Sequence, residues 1–212
     1  MKIAIFGATG ALGGQCLRQC LDAGFEVTLL LRSPDKLAAD LAAKCTVYSG
    51  DALDADAVDT ALSDGCDAVL FAIGVDKGSP ENLCATATEH IINAMRANHI
   101  SRLVWCGGGS TLLPDDQVTM GARFVELFTK TFMGLRHRDK AEQLKVLNEA
   151  QDIEWIGIRP LQMLESRRTE VYRLGYDAFN GMSKISFADC AHAMVGMLEN
   201  DDWLHKAPIV QY

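Results

Sequence analysis

No apolar run in this sequence is long enough to cross a membrane as a helix. Such a span takes roughly 18 consecutive apolar residues, and AVLFAIGV at 68–75 is among the longest runs present. The N-terminus lacks the long apolar core of a secretory leader, because one lysine precedes a short run that stops at Gly7. Positive charge is also scarce: 20 Lys and Arg against 28 Asp and Glu leave a formal net charge of −8. That deficit disfavours non-specific nucleic-acid binding and attraction to anionic membranes. Seven cysteines (Cys16, Cys20, Cys45, Cys66, Cys84, Cys106 and Cys190) form no C-x-x-C pair and no Cys/His cluster at zinc-ligand spacing. Scattered single thiols among apolar residues are expected to be buried and reduced. The expectation is a cytoplasmic protein with no membrane, nucleic-acid or structural-metal partner.

What is present suits a folded globular chain: 49% of 212 residues are hydrophobic, enough for a substantial core. No repeat, low-complexity tract or compositional break marks a linker, so residues 1–212 read as one domain. Strand-type runs fall at 2–6, 26–31, 45–50, 67–74, 102–107 and 153–160. Helical patterns lie between them, including 82–99, 121–133 and 136–149. Ser33 and Pro34 read as N-cap and first residue of a helix through SPDKLAADLAA. Ser186 and Asp189 have capping-box spacing ahead of the last helix, and PIVQY reads as a final edge strand. The stretch 161–182 is the least regular and reads as a lid or wall over a site. Continuous apolar strands alternating with helices predict an α/β fold, a doubly wound and mainly parallel sheet with helices on both faces.

GATGALGG at 7–14 joins the first strand to the first helix. A glycine-rich turn there lets the backbone approach a pyrophosphate, and the helix N-terminus offers free N–H groups and a positive dipole end. The spacing of Gly7, Gly10 and Gly13 is G-x-x-G-x-x-G, and the strand–turn–helix context makes this a Rossmann-type dinucleotide site. Arg32 closes the second strand, where NAD-preferring proteins carry an acid for the ribose hydroxyls. A guanidinium there can pair with the 2′-phosphate of NADP, with Ser33 adding a hydroxyl. NADPH is therefore expected ahead of NADH; a solvated Arg at a strand end is the alternative.

IFGATGALGG with VTLLLRSPDKL, followed by Gly50-Asp51, AVLFAIG, the glycine loop with Ser110, IRP at 158–160 and KISFADCAHAM, resembles the atypical short-chain dehydrogenase/reductase proteins of the NmrA-like group. The branch it is most similar to contains biliverdin-IXβ reductase and flavin reductases, and the likeness runs over nearly the whole chain. The resemblance implies that Asp51, with Ala52, meets the adenine, although Asp51 also suits a turn cap. It implies that Ala72, Ile73 and Gly74 run along the ribose, and that Thr9, Ala11 and Leu12 join the glycines at the pyrophosphate. Ligands in such sheets sit beyond the carboxyl ends of the strands, so the fifth- and sixth-strand exits, with Gly107, Pro160 and Leu161, should flank the nicotinamide. Ser110 matches the serine of the flavin-reductase branch and is the candidate catalytic hydroxyl, a loop cap being the alternative. Gly107-Gly108 stand where the biliverdin-reductase branch carries Thr-Ser, so its hydroxyl is displaced or lost here.

The Tyr-x-x-x-Lys pair of many family members is missing: Tyr48, Tyr172, Tyr176 and Tyr212 all lack a lysine four residues on. Arg136 and Lys140 hold that spacing instead, which keeps Lys140 as a catalytic candidate, but arginine is no ordinary general acid. Acceptors that are already electrophilic, such as a flavin, a quinone or a linear tetrapyrrole, need mainly alignment of two π-systems. An NADPH-dependent reductase of a small aromatic electron acceptor, flavin first, is the leading reading. A non-catalytic NADP-binding redox sensor is its rival, and an epimerase or carbonyl reductase fits less well. The chain is expected to be a monomer or weak homodimer. Phe124, Leu127, Phe128, Phe132 and Met133 make a helical apolar stripe, expected to pack mostly into the core and partly into the substrate wall. His137 reads as a surface histidine that could donate to an acceptor. Cys106 reads as a buried strand residue near the nicotinamide.

Overall fold

The computed structural model describes residues 1–76, 78–132, 134–176 and 182–212, without the side chains of residues 129, 135 and 136. In chain order the elements are β1 (Lys2–Phe6), α1 (Ala11–Asp22), β2 (Glu26–Leu31), α2 (Ala39–Ala42), β3 (Thr46–Ser49), α3 (Ala55–Leu62), β4 (Ala68–Phe71), α4 (Leu83–Ala97), β5 (Arg102–Cys106), α5 (Met120–Phe132), α6 (Gly134–Glu149) and β6 (Glu154–Ile158). They continue with β7 (Gln162–Leu164), β8 (Arg173–Gly175), β9 (Lys184–Ser186), α7 (Phe187–Gly196) and β10 (Ile209–Gln211).

The first six strands form one sheet in the order β3-β2-β1-β4-β5-β6, every pair parallel. This is the Rossmann arrangement, with its switch of direction between β1 and β4. Period-two alternation builds a core on each face. Ile3, Ile5, Leu70, Val104 and Ile156 join α1 and α7, whereas Phe6, Phe71, Leu103, Trp105 and Trp155 join α3, α4 and α6. Two helix starts are satisfied by carboxylates. Asp54 caps α3 through Asp56 N and Ala57 N, and buried Asp139 accepts from Cys84 N (2.9 Å) and Ala85 N (3.0 Å) at the start of α4. At α7 the expected cap is present, Ser186 Oγ accepting from Asp189 N at 2.8 Å. Among the described residues no helix is long and apolar enough to cross a membrane.

Four expectations need correction. The helix from Ser33 is only a 3₁₀ turn at Pro34–Lys36; Ser33 makes no side-chain cap, and Leu37 turns extended (φ −83°, ψ 131°) and packs on the α1-side core. Strand β4 stops at Phe71 rather than residue 74, because β1 ends at Phe6 and Gly7 turns away, leaving Ala72 N to Phe6 O as the last bond between them. PIVQY does not extend the main sheet. Its β10 pairs antiparallel with β8, and the chain leading into it runs beside β6, bonded through Gly157 N to Lys206 O (2.8 Å), Arg159 N to Pro208 O (2.9 Å) and the bridge Arg159–Ile209, without becoming a seventh paired strand. Finally, Phe124, Leu127, Phe128 and Phe132 are exposed. Helix α5 packs on α6, and its buried Ala122 clusters with Ile209 away from the sheet core, so its stripe has no sheet to cover. Met133 of that stripe lies outside the described residues, as do 177–181 of the irregular stretch and the side chain of Arg136.

Candidate active site

The three glycines of the β1–α1 turn do three different things. Gly7 has φ +91°, and a Cβ there would come within 2.7 Å of the Ala72 carbonyl, so only glycine lets β1 and β4 part so closely. Gly10 donates its N–H to Gly7 O at 3.0 Å and stands at the α1 N-cap without a side chain, leaving the first-turn amides to the cleft. Gly13 does not line the cleft. A Cβ on it would lie 2.1 Å from Gly7 O, so this glycine sets how closely α1 packs on β1.

Two cavities meet over this turn. One, of about 350 Å³, is lined by Gly7, Thr9, Arg32, Ser33, Lys36, Asp51, Ala52 and Asp76 among others. Arg32 is exposed and makes no hydrogen bond or ion pair among the described residues. Lys36 adds a second cation to this cavity. The Asp51 Oδ1 accepts from Leu53 N at 3.0 Å, so the turn-cap role is real even though Asp51 borders the cavity. At Asp76 the Gly78 N–H and the Ser79 hydroxyl hold the carboxyl below its usual range, with Arg32 contributing.

The second cavity, of about 660 Å³, shares Gly10 and Ala72–Val75 with the first. Its remaining wall includes Ala11, Leu12, Cys106, Gly107–Thr111, His137, Lys140, Pro160, Leu161 and Phe187. The glycine loop is tied to the sixth-strand exit by Gly107 N to Ile158 O and Gly109 N to Pro160 O, both 2.9 Å. Beneath it, buried Arg159 bonds Asp116 (2.5 and 2.9 Å), Thr111 O (2.6 Å) and Ala207 O (2.6 Å). Lys140 Nζ donates to Cys106 O (3.0 Å), Gln143 Oε1 (3.0 Å) and Ile73 O (3.4 Å), bridging the ends of β4 and β5. Ser110 borders the cavity with no hydrogen bond among the described residues.

A family model described as NAD(P)H-binding matches residues 7–201. The chain belongs to the NAD(P)H-binding family. Among curated proteins, the uncharacterised Bacillus subtilis protein YwnB is 29% identical over 212 residues, spanning 97% of this chain and 95% of YwnB. A candidate NADH-flavin reductase from Streptococcus pneumoniae superposes with a TM-score of 0.79 at 23% identity, over 100% of this chain and 99% of that one. A short-chain dehydrogenase/reductase from Veillonella parvula, solved in complex with NADP, does so with a TM-score of 0.81 at 13% identity, over 100% and 94%. At those identities the two superpositions speak for the fold.

The cleft of this NAD(P)H-binding chain fits a dinucleotide on its own geometry. Uncapped first-turn amides, glycines that no side chain could replace, and unpaired Arg32 lie along one continuous groove at the β1/β4 switch point. At the far end two buried polar atoms, Thr111 Oγ1 and His137 Nδ1, have no hydrogen-bond partner among the described residues, and both residues border the larger cavity. Burial pushes the His137 imidazole below its usual range, and Lys130 of α5 pushes the same way. That shift favours the neutral ring, which has one nitrogen to donate and one to accept. Sequence reasoning missed Thr111 and undervalued His137, because an unpartnered atom is defined by its surroundings in space. Cys106 is buried as expected, its sulfur 3.6 Å from Gly107 O. Cys16 and Cys20 of α1 are free, buried thiols that burial makes unreactive, pushing Cys20 up to about 12.

Proposed function

We propose that the protein is an NADPH-dependent reductase of a small aromatic electron acceptor, a flavin such as FMN or riboflavin before a quinone or a bilin. The observation that carries this reading is the pair of cavities joined over Gly10 and Ala72–Val75, one ending in cations and the other in hydrogen-bonding groups that have no partner among the described residues. Gly7, Thr9, Gly10, Ala11 and Leu12 hold the pyrophosphate, while Arg32, Ser33 and Lys36 select the 2′-phosphate. Asp51 and Ala52 border the adenine, and Ala72, Ile73 and Gly74 the ribose. Gly107, Pro160 and Leu161 border the nicotinamide. When bound, the cofactor supplies a hydride. Ser110, Thr111 and His137 hydrogen-bond the polar edge of the acceptor and align it, and the proton that completes the reduction comes from solvent.

The test is NADPH oxidation followed at 340 nm with FMN, riboflavin, a quinone and biliverdin as separate acceptors, and NADH as control. The expected result is turnover with FMN that is faster with NADPH, the preference collapsing in Arg32→Ala. Tight NADPH binding without turnover on any acceptor would replace the reductase with a redox sensor.

A further inference from the structure

Helix α5 carries a ridge that no described residue covers. Met120, Phe124, Phe128 and Phe132 follow one another at four-residue intervals and are 90%, 70%, 48% and 73% exposed, with Leu127 beside them at 64%. The Phe128 and Phe132 rings pack on each other at 4.8 Å between centroids. None of the five borders either cavity, so the ridge is not a substrate wall. The charged residues Arg123, Glu126 and Lys130 keep to one flank, where Lys130 pairs with Glu126 at 2.7 Å.

The area is large for a free surface. Taking about 200 Å² for a fully exposed phenylalanine, the three rings alone leave about 400 Å² open. Met120 and Leu127 raise this to roughly 600 Å², the upper range of a monomer's largest patch. It is also most of the roughly 800 Å² that each partner contributes to a stable interface. The spacing says what covers it. The ridge reads the same in both directions about position 126, so an antiparallel copy sets Met120 against Phe132 and Phe124 against Phe128. Ridges of this i, i+4 kind interdigitate with their own kind, and a twofold interface requires a patch complementary to itself.

We propose that this ridge is a homodimer interface, two copies of α5 packing antiparallel across a twofold axis. The proposal is independent of the reductase reading. Sedimentation equilibrium from about 5 to 200 μM tests it, the expected mass being twice the 23.1 kDa of the chain. Phe124→Glu and Phe128→Lys, each at an exposed site, should keep the circular dichroism and Tm of the parent. Each should also weaken association at least 100-fold. Val171→Glu, on a residue 76% exposed outside α5, should leave the dimer intact. Mixing Phe124→Glu with Phe128→Lys should restore association, since the pairing opposes those two positions. A parent protein at chain mass throughout, a dimer indifferent to Phe124→Glu, or no recovery on mixing would each overturn the proposal. So would a monomer whose ridge instead binds phosphatidylcholine vesicles.

Discussion

Removing the carboxylate of Asp116 should cost this protein more stability than any surface change, and the structure shows why. Arg159 and Asp116 are 1% and 0% exposed at their side chains and bond through two contacts, 2.5 and 2.9 Å. The guanidinium also donates to Thr111 O and Ala207 O, and Asp116 Oδ2 accepts from Leu113 N at 2.7 Å. Asp116→Ala leaves a buried cation with carbonyl partners but no counter-charge, a loss of about 3–5 kcal/mol. For a chain of this size each kcal/mol moves Tm by about 2–4 °C, so differential scanning calorimetry should record a fall of about 6–20 °C. The double variant Arg159→Met/Asp116→Leu should recover much of that fall, because no unpaired charge remains. A fall below about 3 °C in Asp116→Ala, or a double variant as unstable as the single one, would refute the reasoning. The effect should reach the cleft unevenly. Thr111, held by Arg159, borders the larger cavity, whereas among the described residues no hydrogen bond or ion pair joins the α1 turn to the pair. NADPH affinity should accordingly change by no more than about threefold while the acceptor KM rises.

Gly13→Ala should lower Tm by several degrees, since its Cβ would lie 2.1 Å from Gly7 O and overpacking of this kind costs about 1–3 kcal/mol; an unchanged Tm would show that α1 can shift freely on β1. Burial raises the Asp189 carboxyl, but bonds from Glu170 N, Tyr212 OH, Thr169 N and the Thr169 hydroxyl outweigh it and hold the group at about 2. A depressed carboxylate stabilises the fold above its unfolded value and loses that contribution as pH falls from about 4 through 2, here about 2 kcal/mol. Asp189→Asn should be less stable at pH 7 and lack this part of the acid dependence in urea titrations. Equal slopes in parent and variant between pH 4 and 2 would count against it.

How much of this was readable beforehand follows from the range of the interactions concerned. Strands β1, β2 and β5 are nearly continuous apolar runs that are buried past their first residue, so the sequence pattern alone located them to within a residue or so. That Gly7, Gly10 and Arg32 stand together at one cavity was legible because strand, turn and helix are adjacent in sequence. The stripe on α5 correctly marked a helix, but a period of 3.6 cannot say what the apolar face meets, and here it meets solvent. The pair Arg159–Asp116 spans 43 residues, and Thr169–Asp189 spans 20. Nothing local distinguishes Asp116 from the other loop acids. Gly13 was assigned to the ligand from its place in the motif, yet its constraint is a helix–strand contact.

Helix α6 shows how one sequence position can serve architecture and chemistry together. Its adjacent charged residues point to different strand ends and helix ends. Asp139 closes the start of α4, and Lys140 clamps the carbonyls of Ile73 and Cys106 where β4 and β5 open into the cleft. Gln143 braces the same ammonium and donates in turn to Thr88 of α4 at 2.9 Å. An ammonium surrounded by three acceptors is poorly placed to shuttle a proton, but it fixes the distance between the two strand exits that the proposed nicotinamide and acceptor must span. The absence of a tyrosine four residues earlier then follows a physical logic. An acceptor that is already electrophilic asks the protein for a rigid floor and an aligned second ring system; in the proposed reductase Lys140 would supply the floor, and Thr111 and His137, which border the cavity, would carry the groups that align it.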